Sequence, residues 1–252
     1  MKRLNALLVI PARYGSSRFP AKPLANLNGK PIIQHVWERA MRARQPDSVV
    51  VATDDERIIK VVHSFGGKAV LTASTHRNGT ERVAEVAAMF DDPVVVNLQG
   101  DLPVFRPEVL DKLIEQGRDI LQKNAADMVT AQSAIALESE ISSPHTVKVV
   151  SDHRNQALYF SRSAIPYRLY NLSVKVFKHY GIYIYSRMFL LKVAAAPEGV
   201  LEGAEQLEQL RVLEQGGRVH LIEISPQEAS LFVEVNRPED LEHAKAALAA
   251  EK

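Results

Sequence analysis

Basic residues gather in one short stretch, IPARYGSSRFPAKPL, which spans residues 10–24. The chain leaves an apolar run through a proline there and places Arg13, Arg18 and Lys22 among small polar residues such as Ser16. Backbone amides beside small residues can approach an anion closely, and arginine and lysine suit phosphate oxygens. We therefore predict a cradle for a triphosphate. The alternative is a solvated loop whose basic residues pair with nearby carboxylates.

Two better-known phosphate loops do not fit this stretch. The sequence holds no G-x-x-x-x-G-K-[ST] motif, and no G-x-G-x-x-G follows the first apolar run. The predicted site is therefore neither the usual NTPase loop nor a dinucleotide loop. Its affinity for phosphate would depend on the local cluster of cations.

A second group with possible chemistry closes the run VVVNLQGDLP, residues 94–103. Gln99 and Asp101 stand where a buried strand would end, so the carboxylate would reach the same sheet edge as the basic loop. A carboxylate beside a triphosphate requires a divalent cation between them, and Mg²⁺ is commonly held by one or two carboxylates plus substrate phosphates. The alternative is a capping aspartate for a helix at Pro107, but the two residues are too far apart for that role.

Length and composition narrow the classes of protein. The chain has 252 residues, enough for one α/β domain with a full core. A formal net charge of +1 gives no global field for nucleic acid or an anionic membrane, so neither is expected as a partner. The absence of cysteine excludes disulfides, a thiolate nucleophile and sulfur-ligated zinc, and it suits a cytoplasmic location. The short apolar run near the start fits a first strand better than a signal peptide.

Short β-branched runs alternate with longer segments of helical period, which is the pattern of a mostly parallel sheet covered by helices. The predicted strands of the first half are ALLVI, SVVVAT, KAVLT, VVVNLQ and DMVTAQ, which end by residue 132. Between them we expect helices in KPIIQHVWERAMRA, after Asp54 or Asp55, and in TERVAEVAAMF. The first half is therefore predicted to be doubly wound α/β.

The second half begins with an inserted hairpin. HTVKVVSDHRNQALYFSRSAIPY alternates well enough to form two strands joined by a polar turn, and VFKHYGIYIYS is a further strand. The period of two puts four residues of that strand on one face: His179, Gly181, Tyr183 and Tyr185. This face is the second candidate for a binding surface.

The remaining residues are predicted to complete the same domain. A helix from about Glu202 to Gln215 should come first, followed by strands RVHLIEI and SLFVEV and by a terminal helix from Pro238. No Pro-, Gly- or Ser-rich linker, repeat or low-complexity tract divides the chain. We therefore expect residues 1–252 to form a single domain.

Ten segments in this order resemble the cytidylyltransferase family that activates 3-deoxy-manno-octulosonate (KDO): IPARYGSSRFPAKPL, NGKPIIQHV, VATDDERI, GTERVAEV, NLQGDLP, VKVV, ALYFSRSAIPY, KHYGIYIY, LEQLRVL and PEDLEHA. The match covers nearly the whole chain. GTER, LQGD, YFSR and LEQLR at these spacings form a specific combination. Related sugar nucleotidyltransferases, such as acylneuraminate cytidylyltransferases, share the pattern of the first half but not the second-half set.

The resemblance implies a Rossmann-like, doubly wound and mostly parallel sheet of the nucleotide-diphospho-sugar transferase type. Residues 1–132 would be the nucleotide-binding half, and residues 133–252, with the hairpin, the sugar-binding and dimerisation half. The activity implied is that of a cytosolic, magnesium-dependent homodimer that makes CMP-KDO and pyrophosphate from CTP and KDO, for lipopolysaccharide or capsule assembly.

The resemblance also implies roles for particular residues. The family's nucleotide contacts fall on Arg13, Ser16, Arg18, Lys22, Thr80, Arg82 and Gln99. Its sugar pocket falls on Arg162, His179, Tyr183, Tyr185, Glu208 and Gln209. Its metal positions fall on Asp101 and Asn236. The catalytic residues would be Arg13, Arg18, Lys22 and Asp101, which would hold the triphosphate and the metal while the anomeric hydroxyl attacks the α-phosphorus.

Several of these residues also have plainer explanations. His179 alone could be an ordinary half-buried histidine. Arg162 could be a charge on an edge strand, although the carboxylate of a sugar acid would suit a bidentate arginine. Glu208 and Arg211 are spaced to form a surface ion pair on one helix.

Two positions depart from the family pattern. Leu102 stands where the family usually carries an acidic residue, and Asn236 stands where its second metal-binding aspartate is expected. Asparagine offers magnesium an oxygen without a charge, and Glu234 could compensate. Three alternatives follow: the same chemistry on 8-amino-KDO, on a neighbouring nonulosonate, or a homologue that binds nucleotide without turnover.

Overall fold

The computed structural model describes residues 3–15, 19–169 and 174–250. Its strands, in chain order, are β1 (Ala6–Ala12), β2 (Asn26–Leu27), β3 (Lys30–Pro31), β4 (Ser48–Thr53), β5 (Ala69–Leu71), β6 (Val94–Leu98), β7 (Met128–Ala134), β8 (Lys148–Ser151), β9 (Ala157–Ser161), β10 (Phe177–Ser186) and β11 (Val219–Glu223). Its helices are α1 (Ile32–Arg42), α2 (Glu56–Ser64), α3 (Gly79–Ala87), α4 (Pro107–Gln122), α5 (Glu138–Ser142), α6 (Arg187–Ala195), α7 (Val200–Glu205), α8 (Leu210–Glu214), α9 (Pro226–Ala229) and α10 (Asp240–Ala250). One turn of 3₁₀ helix, Lys22–Leu24, follows the basic loop.

One large sheet runs through the molecule in the order β11-β7-β10-β6-β1-β4-β5. The pairs β6–β1, β1–β4, β4–β5 and β7–β11 are parallel, whereas β10 is antiparallel to both of its neighbours. The predicted α/β class with a mostly parallel, doubly wound sheet is therefore confirmed. The carboxyl ends of β1 and β6 lie side by side, where an open sheet of this kind binds ligands.

Alternate side chains of the central strands pack into two separate hydrophobic cores, one on each face of the sheet. Leu8 and Ile10 of β1 pack into the core under α1, α2 and α4, whereas Leu7 and Val9 pack into the core under α3, α6 and α8. All four side chains are fully buried. Burial on both faces explains why β1 reads as a continuous apolar run.

Polar caps begin the helices that approach the site. The carboxylate of Asp55, one of the two predicted caps, accepts the Arg57 N–H at 2.8 Å and starts α2. Asn78 starts α3 in the same way by accepting the Glu81 N–H at 2.9 Å. Such caps satisfy backbone donors that would otherwise lack a partner.

The predicted hairpin is confirmed as β8 and β9, which pair antiparallel, and β8 also pairs with β10. β10 itself contains a bulge: Tyr180 pairs with Ala131, yet Tyr183 pairs with the next residue, Thr130. Two extra residues on β10 keep the alternation of side chains intact, so His179 and Tyr183 stay on one face.

Two predicted elements are wrong. The helix expected from Glu202 to Gln215 is broken into α7 and α8, because Gln206 adopts a left-handed conformation with φ 54°. SLFVEV is not a strand of the sheet, since its residues make only an isolated bridge between Val233 and Val104. In both cases the chain bends so that polar residues reach the cleft described below.

The terminal helix agrees with the prediction and begins at Asp240, shortly after Pro238. Within the described residues, no helix combines the length and the apolar character needed to cross a membrane.

Candidate active site

An open cleft of about 500 Å³ lies at the carboxyl ends of β1 and β6. This volume is in the range of small-molecule sites. Eleven of the fifteen predicted site residues line it: Arg13, Lys22, Arg82, Gln99, Asp101, Arg162, His179, Tyr183, Glu208, Gln209 and Asn236. The chain therefore brings the predicted nucleotide residues and sugar residues into one continuous space.

Of the other four predicted residues, two lie beneath the cleft and two lie outside the described residues. Tyr185 is fully buried, and its hydroxyl lies 3.3 Å from the hydroxyl of Thr80, which is also buried. Neither side chain lines the cleft; both lie beneath its floor, and their contact with ligand stays a prediction. Ser16 and Arg18 lie outside the described residues.

A close approach between backbones delivers Asp101 to the site. A Cβ on Gly100 would lie 2.5 Å from the carbonyl oxygen of Pro11, so only glycine lets the end of β6 pass this close to the end of β1. Lys22 Nζ donates to Asp101 Oδ2 at 2.6 Å. The carboxylate predicted from LQGD and the lysine predicted from the basic loop are therefore direct neighbours.

Arg82 braces the basic loop from below. Its guanidinium is buried and donates to Asp54 Oδ2 at 2.9 Å, while Asp54 Oδ1 accepts the Tyr14 N–H at 3.4 Å. The Arg57 guanidinium stacks on the Tyr14 ring at 3.4 Å from its centroid. The loop after β1 is thus anchored at its first turn, next to Arg13.

Glu208 connects the break between α7 and α8 to the start of α3. One carboxylate oxygen accepts the Thr80 N–H at 2.8 Å, and the other accepts Nε2 of Gln99 at 3.2 Å. Desolvation raises the pKa of Glu208, while its hydrogen bond from Thr80 opposes the rise. Since a carboxylate can only accept, it turns the amide nitrogen of Gln99 toward itself.

Two oxygen-bearing side chains lie at the same end of the cleft as Asp101. The Val235 N–H donates to the Asp101 carbonyl at 2.8 Å, which holds Glu234 and Asn236 at the same end of the cleft. Asn236 Nδ2 donates to Glu234 Oε2 at 3.2 Å. Desolvation by the surrounding protein, followed by the negative charge of Asp101, raises the pKa of Glu234.

The β10 residues predicted to bind the sugar form a packed aromatic wall, called the aromatic wall below. The His179 ring stacks on Tyr183 with centroids 5.6 Å apart and meets the edge of Phe160 at 4.9 Å. Tyr183 Oη donates to Gln209 Oε1 at 3.1 Å, and all four side chains are buried. Burial, and then the negative charge of Glu208, raises the pKa of Tyr183, so its hydroxyl stays neutral.

Arg162 stands at the rim with its guanidinium directed to backbone carbonyls. It donates to the oxygens of Glu205 at 2.7 Å, Pro144 at 3.0 Å and Gln206 at 3.4 Å. Its own carbonyl accepts the buried ammonium of Lys148, whose pKa is lowered by burial. Arg162 therefore joins the hairpin to the break after α7.

The ion pair expected between Glu208 and Arg211 does not form. Arg211 is 2% exposed, and its Nε donates to Glu202 Oε2 at 2.6 Å while its Nη1 donates to Glu81 Oε1 at 3.0 Å. The Glu208 carboxylate instead accepts from the Thr80 N–H and from Gln99, so the two side chains have different partners. The ion pairs of Arg211 instead tie α8 to α7 and α3.

Three residues escaped sequence reasoning: Lys178, which lines the cleft, and Asp54 and Lys148, which contact Arg82 and the Arg162 carbonyl. Asp54 is one of the two aspartates that we considered as helix caps, and the cap proves to be the other one. An aspartate that does not cap the helix is available to pair with a cationic side chain, as Asp54 does with Arg82. Lys178 precedes His179 and lines the cleft, although the period of two would turn it to the opposite face.

The fold is similar to those of solved nucleotidyltransferases. A solved structure of similar fold, 4-diphosphocytidyl-2C-methyl-D-erythritol synthase from Anaerococcus prevotii, has a TM-score of 0.64 at 17% identity and covers 98% of this chain and 100% of that chain. At that identity the likeness concerns the fold alone.

Nearer relatives specify the family. A family model described as Cytidylyltransferase matches residues 7–224, and the chain belongs to that family. It is 46% identical over 250 residues to 8-amino-3,8-dideoxy-manno-octulosonate cytidylyltransferase from Shewanella pealeana, covering 97% of this chain and 99% of the relative. It is also 46% identical over 237 residues to 3-deoxy-manno-octulosonate cytidylyltransferase from Syntrophus aciditrophicus, covering 92% of this chain and 93% of the relative.

A solved structure of CMP:2-keto-3-deoxy-manno-octonic acid synthetase complexed with CTP is 42% identical, with a TM-score of 0.90 and coverage of 98% of this chain and 100% of that chain. The similarity extends over both halves. The family expectation drawn from the sequence is thus confirmed: the protein is a cytidylyltransferase enzyme.

Proposed function

We propose that the protein transfers a cytidylyl group from CTP to the anomeric hydroxyl of a 3-deoxy-manno-octulosonate, giving the CMP-sugar and pyrophosphate. The observation that carries the proposal is that the cations after β1, the aromatic wall of β10 and Asp101 all line one continuous cleft. A nucleotide and a sugar acid bound at its two ends would meet beside that carboxylate.

The phosphate end would bind CTP. Arg13 and Lys22, joined by Ser16 and Arg18 from the same loop, would neutralise the triphosphate and the departing pyrophosphate. Arg82 lies lower, paired with Asp54, and would support the loop near the nucleotide. Gln99 and Thr80 would act from the floor, with Gln99 oriented by Glu208.

The sugar end would bind the acceptor through Arg162, His179, Tyr183, Glu208 and Gln209. The buried Nε2 of Gln209 has no hydrogen-bond partner within the described residues, and a sugar hydroxyl would satisfy it. Tyr185 would support this wall from beneath.

The donor set of Asp101, Glu234 and Asn236 fits Mg²⁺, because two carboxylates and an amide oxygen are hard ligands. Lys22 occupies one oxygen of Asp101, and Oδ1 is left for a cation. Bound magnesium would neutralise charge on the phosphates and lower the pKa of the attacking hydroxyl. We therefore propose Mg²⁺ as the cofactor, with Asp101 and Asn236 as its ligands.

The chemistry asks the protein mainly for positioning. A bond forms between the anomeric oxygen and the α-phosphorus, the bond from that phosphorus to pyrophosphate breaks, and the hydroxyl proton passes to solvent or phosphate. Walls that hold the two substrates in line would supply much of the acceleration.

Further properties belong to the same proposal. The unbroken sheet supports one domain, 1–252, with its nucleotide half at 1–132 and its sugar half at 133–252. Exposed apolar residues on and beside the hairpin, Leu158, Tyr167 and Leu169, support a homodimer formed there. The absence of cysteine supports a cytoplasmic location, and the sugar would enter lipopolysaccharide or capsule.

Pyrophosphate release tests the proposal directly. The protein with CTP and Mg²⁺ is compared across KDO, 8-amino-KDO, N-acetylneuraminate and no sugar. Release that depends on KDO or on its 8-amino analogue supports the proposal and identifies the acceptor. Release only with N-acetylneuraminate would move the acceptor to the nonulosonates. Tight CTP binding without release for any sugar would favour a non-catalytic homologue and would contradict the proposal.

A further inference from the structure

Thr130 makes three polar contacts in the floor of the cleft, although it is a buried residue in the middle of β7. Its Oγ1 lies 3.0 Å from His179 Nε2, 3.0 Å from the Tyr180 carbonyl oxygen and 2.8 Å from the Ile182 carbonyl oxygen. All three distances are those of hydrogen bonds.

Counting protons fixes the direction of each bond. A threonine hydroxyl has one hydrogen and two acceptor lone pairs, whereas a carbonyl oxygen can only accept. If the hydrogen pointed to His179, both carbonyl oxygens would face the hydroxyl oxygen at 3.0 and 2.8 Å with no hydrogen between them. The hydroxyl of Thr130 therefore gives its hydrogen to one of the two carbonyls. The contact with His179 can then form only if Nε2 carries a hydrogen and donates it.

The bulge in β10 creates this arrangement. In a regular strand the carbonyls of residues two apart point the same way but lie about 7 Å from each other, too far for one hydroxyl to reach both. The two extra residues between Tyr180 and Tyr183 bring the Tyr180 and Ile182 carbonyls to one hydroxyl. Gly181 between them lies against Gln99, since a Cβ there would be 3.3 Å from Gln99 Cγ. The bulge and the threonine act as a unit.

The other ring nitrogen of His179 is left as an acceptor. Within the described residues no hydrogen bond involves Nδ1, and the ring lines the cleft. Burial lowers the pKa of His179 to about 3, so the ring stays neutral near pH 7. A bare Nδ1 attracts a hydrogen-bond donor and gives no favourable charge to a carboxylate.

We infer that Thr130 is a positioning residue that fixes the Nε2–H tautomer of His179, so that Nδ1 accepts a hydrogen bond from a hydroxyl or amine of the acceptor rather than pairing with its carboxylate. The identity of the acceptor rests on the proposed function, whereas the tautomer is a property of the protein alone. KDO and its 8-amino analogue both offer such donors, and the imidazole therefore accepts either one.

The tautomer is measured first, on the substrate-free chain with ¹⁵N-labelled histidine. The His179 signals are identified by their loss in His179→Gln. We expect one protonated-type nitrogen at Nε2 and one bare-type nitrogen at Nδ1. A bare Nε2, or two protonated-type nitrogens near pH 7, would overturn the inference. Because no substrate is present, failure of the proposed function would leave this result unaffected.

The ligand contact is measured next, by adding KDO together with CMP, which has no leaving group and cannot react. A hydrogen bond accepted by Nδ1 should move its signal upfield while that of Nε2 changes little. Conversion of both nitrogens to the protonated type would show an imidazolium facing the carboxylate. That outcome, or an unchanged Nδ1 signal in a complex that forms, would contradict the assigned contact.

Kinetics separate positioning from simple structural damage. Thr130→Val should raise KM for the sugar about tenfold, the loss expected for one misplaced hydrogen bond, and leave KM for CTP unchanged. Thr130→Ser keeps the hydroxyl and should restore the sugar KM to within about twofold. Equal increases for both substrates, or no rescue by serine, would overturn the role of the hydroxyl. If the valine variant does not fold, the serine variant and the two spectra still decide the question.

Discussion

The two ends of the cleft are built in different ways. At the phosphate end Arg13 is exposed, and Lys22 makes a partly exposed ion pair with Asp101. At the sugar end His179 and Tyr183 are buried, stacked on each other and tied to fixed partners. Charge dominates one end of the cleft, and buried hydrogen bonds with defined directions dominate the other.

This difference bears on what each end can recognise. Flexible cations neutralise any triphosphate, and they tolerate small changes of geometry because attraction between charges has no strict direction. Buried neutral groups discriminate strongly between ligands. A ligand that leaves one of these groups without a hydrogen bond binds more weakly, because the cost of removing that group from water is not compensated. We therefore expect substitutions at the phosphate end to act mainly on turnover and CTP, and those at the sugar end on the acceptor alone.

The largest effect is expected at the junction of the two ends. Asp101→Asn keeps the size of the side chain but removes the charge beside Lys22 and weakens the proposed cation site. The rate of pyrophosphate release at saturating substrates should fall roughly a hundred- to a thousandfold, as for loss of one electrostatic group in a reaction centre.

Asp119→Asn, an exposed carboxamide substitution on α4, is the matched control and should leave the rate unchanged. Circular dichroism and a thermal melt establish that both variants fold. A folded Asp101→Asn enzyme with the rate of the parent would remove Asp101 from the proposed catalytic set.

The second largest effect is expected at the sugar end, from Arg162→Ala. The substitution releases three backbone carbonyls of the rim and removes the cation proposed for the acceptor's carboxylate. KM for KDO should rise about ten- to a hundredfold, in line with the loss of charge-assisted hydrogen bonds, while KM for CTP stays the same.

Arg168→Ala serves as the control, because Arg168 is also a half-buried arginine after the hairpin but pairs with Glu138 away from the cleft. If Arg162→Ala raises KM for CTP as much as KM for KDO, the rim supports both ends of the cleft. The proposed difference between the two ends would then not hold at Arg162.

The same contrast explains what the sequence could predict. Strands with continuous apolar runs and loop cations such as Arg13 and Lys22 are local features, so residue types and spacing are enough to place them. The sequence narrows the cap of α2 to Asp54 or Asp55, and the structure has it at Asp55. Gln99 and Asp101 also follow from one rule, because residues that end parallel strands meet at one edge of the sheet.

The rest depends on contacts distant in sequence. Nothing in the sequence around Gln206 predicts that the helix breaks there, because Gln206 is neither a glycine nor a proline. The break is stabilised by a distant contact, the hydrogen bond from the Thr80 N–H to Glu208. The period of two places Tyr185 on the correct face of β10 but cannot tell that Thr80 covers it. The bulge at Tyr180 is likewise set by pairing with β7.

A third prediction sharpens the claim that the sugar end holds a neutral imidazole. The pKa of His179 is lowered to about 3, against 6.5 for an exposed histidine, so the unfolded chain binds a proton that the folded chain refuses. This contribution to stability is present above pH 6.5 and is lost as the pH falls toward 3. From pH 6.5 to pH 5 the free energy of unfolding should fall by about 2 kcal/mol on this account.

Urea titrations of the parent and of His179→Gln, at both pH values, isolate the effect, because all other titrating groups are shared. The parent should lose about 2 kcal/mol more than the variant on acidification. Parallel losses in the two proteins would mean that His179 is protonated as easily in the fold as in water.

The smallest effect is expected from Asn236→Asp, which restores the aspartate of the family at the proposed cation site. Without magnesium the new carboxylate lies beside Glu234 and loses the amide hydrogen bond at 3.2 Å, so like charges should lower the melting temperature. Magnesium should reverse this loss and bind more tightly by up to about tenfold, since each added carboxylate strengthens the site.

The melting temperature is measured with and without Mg²⁺ in the absence of substrates, so the result does not depend on turnover. Asn236→Ala removes the ligand oxygen and should show the weakest response to magnesium. If all three proteins respond equally, residue 236 contributes no ligand to the cation, and the assignment of Asn236 to the proposed magnesium site is wrong.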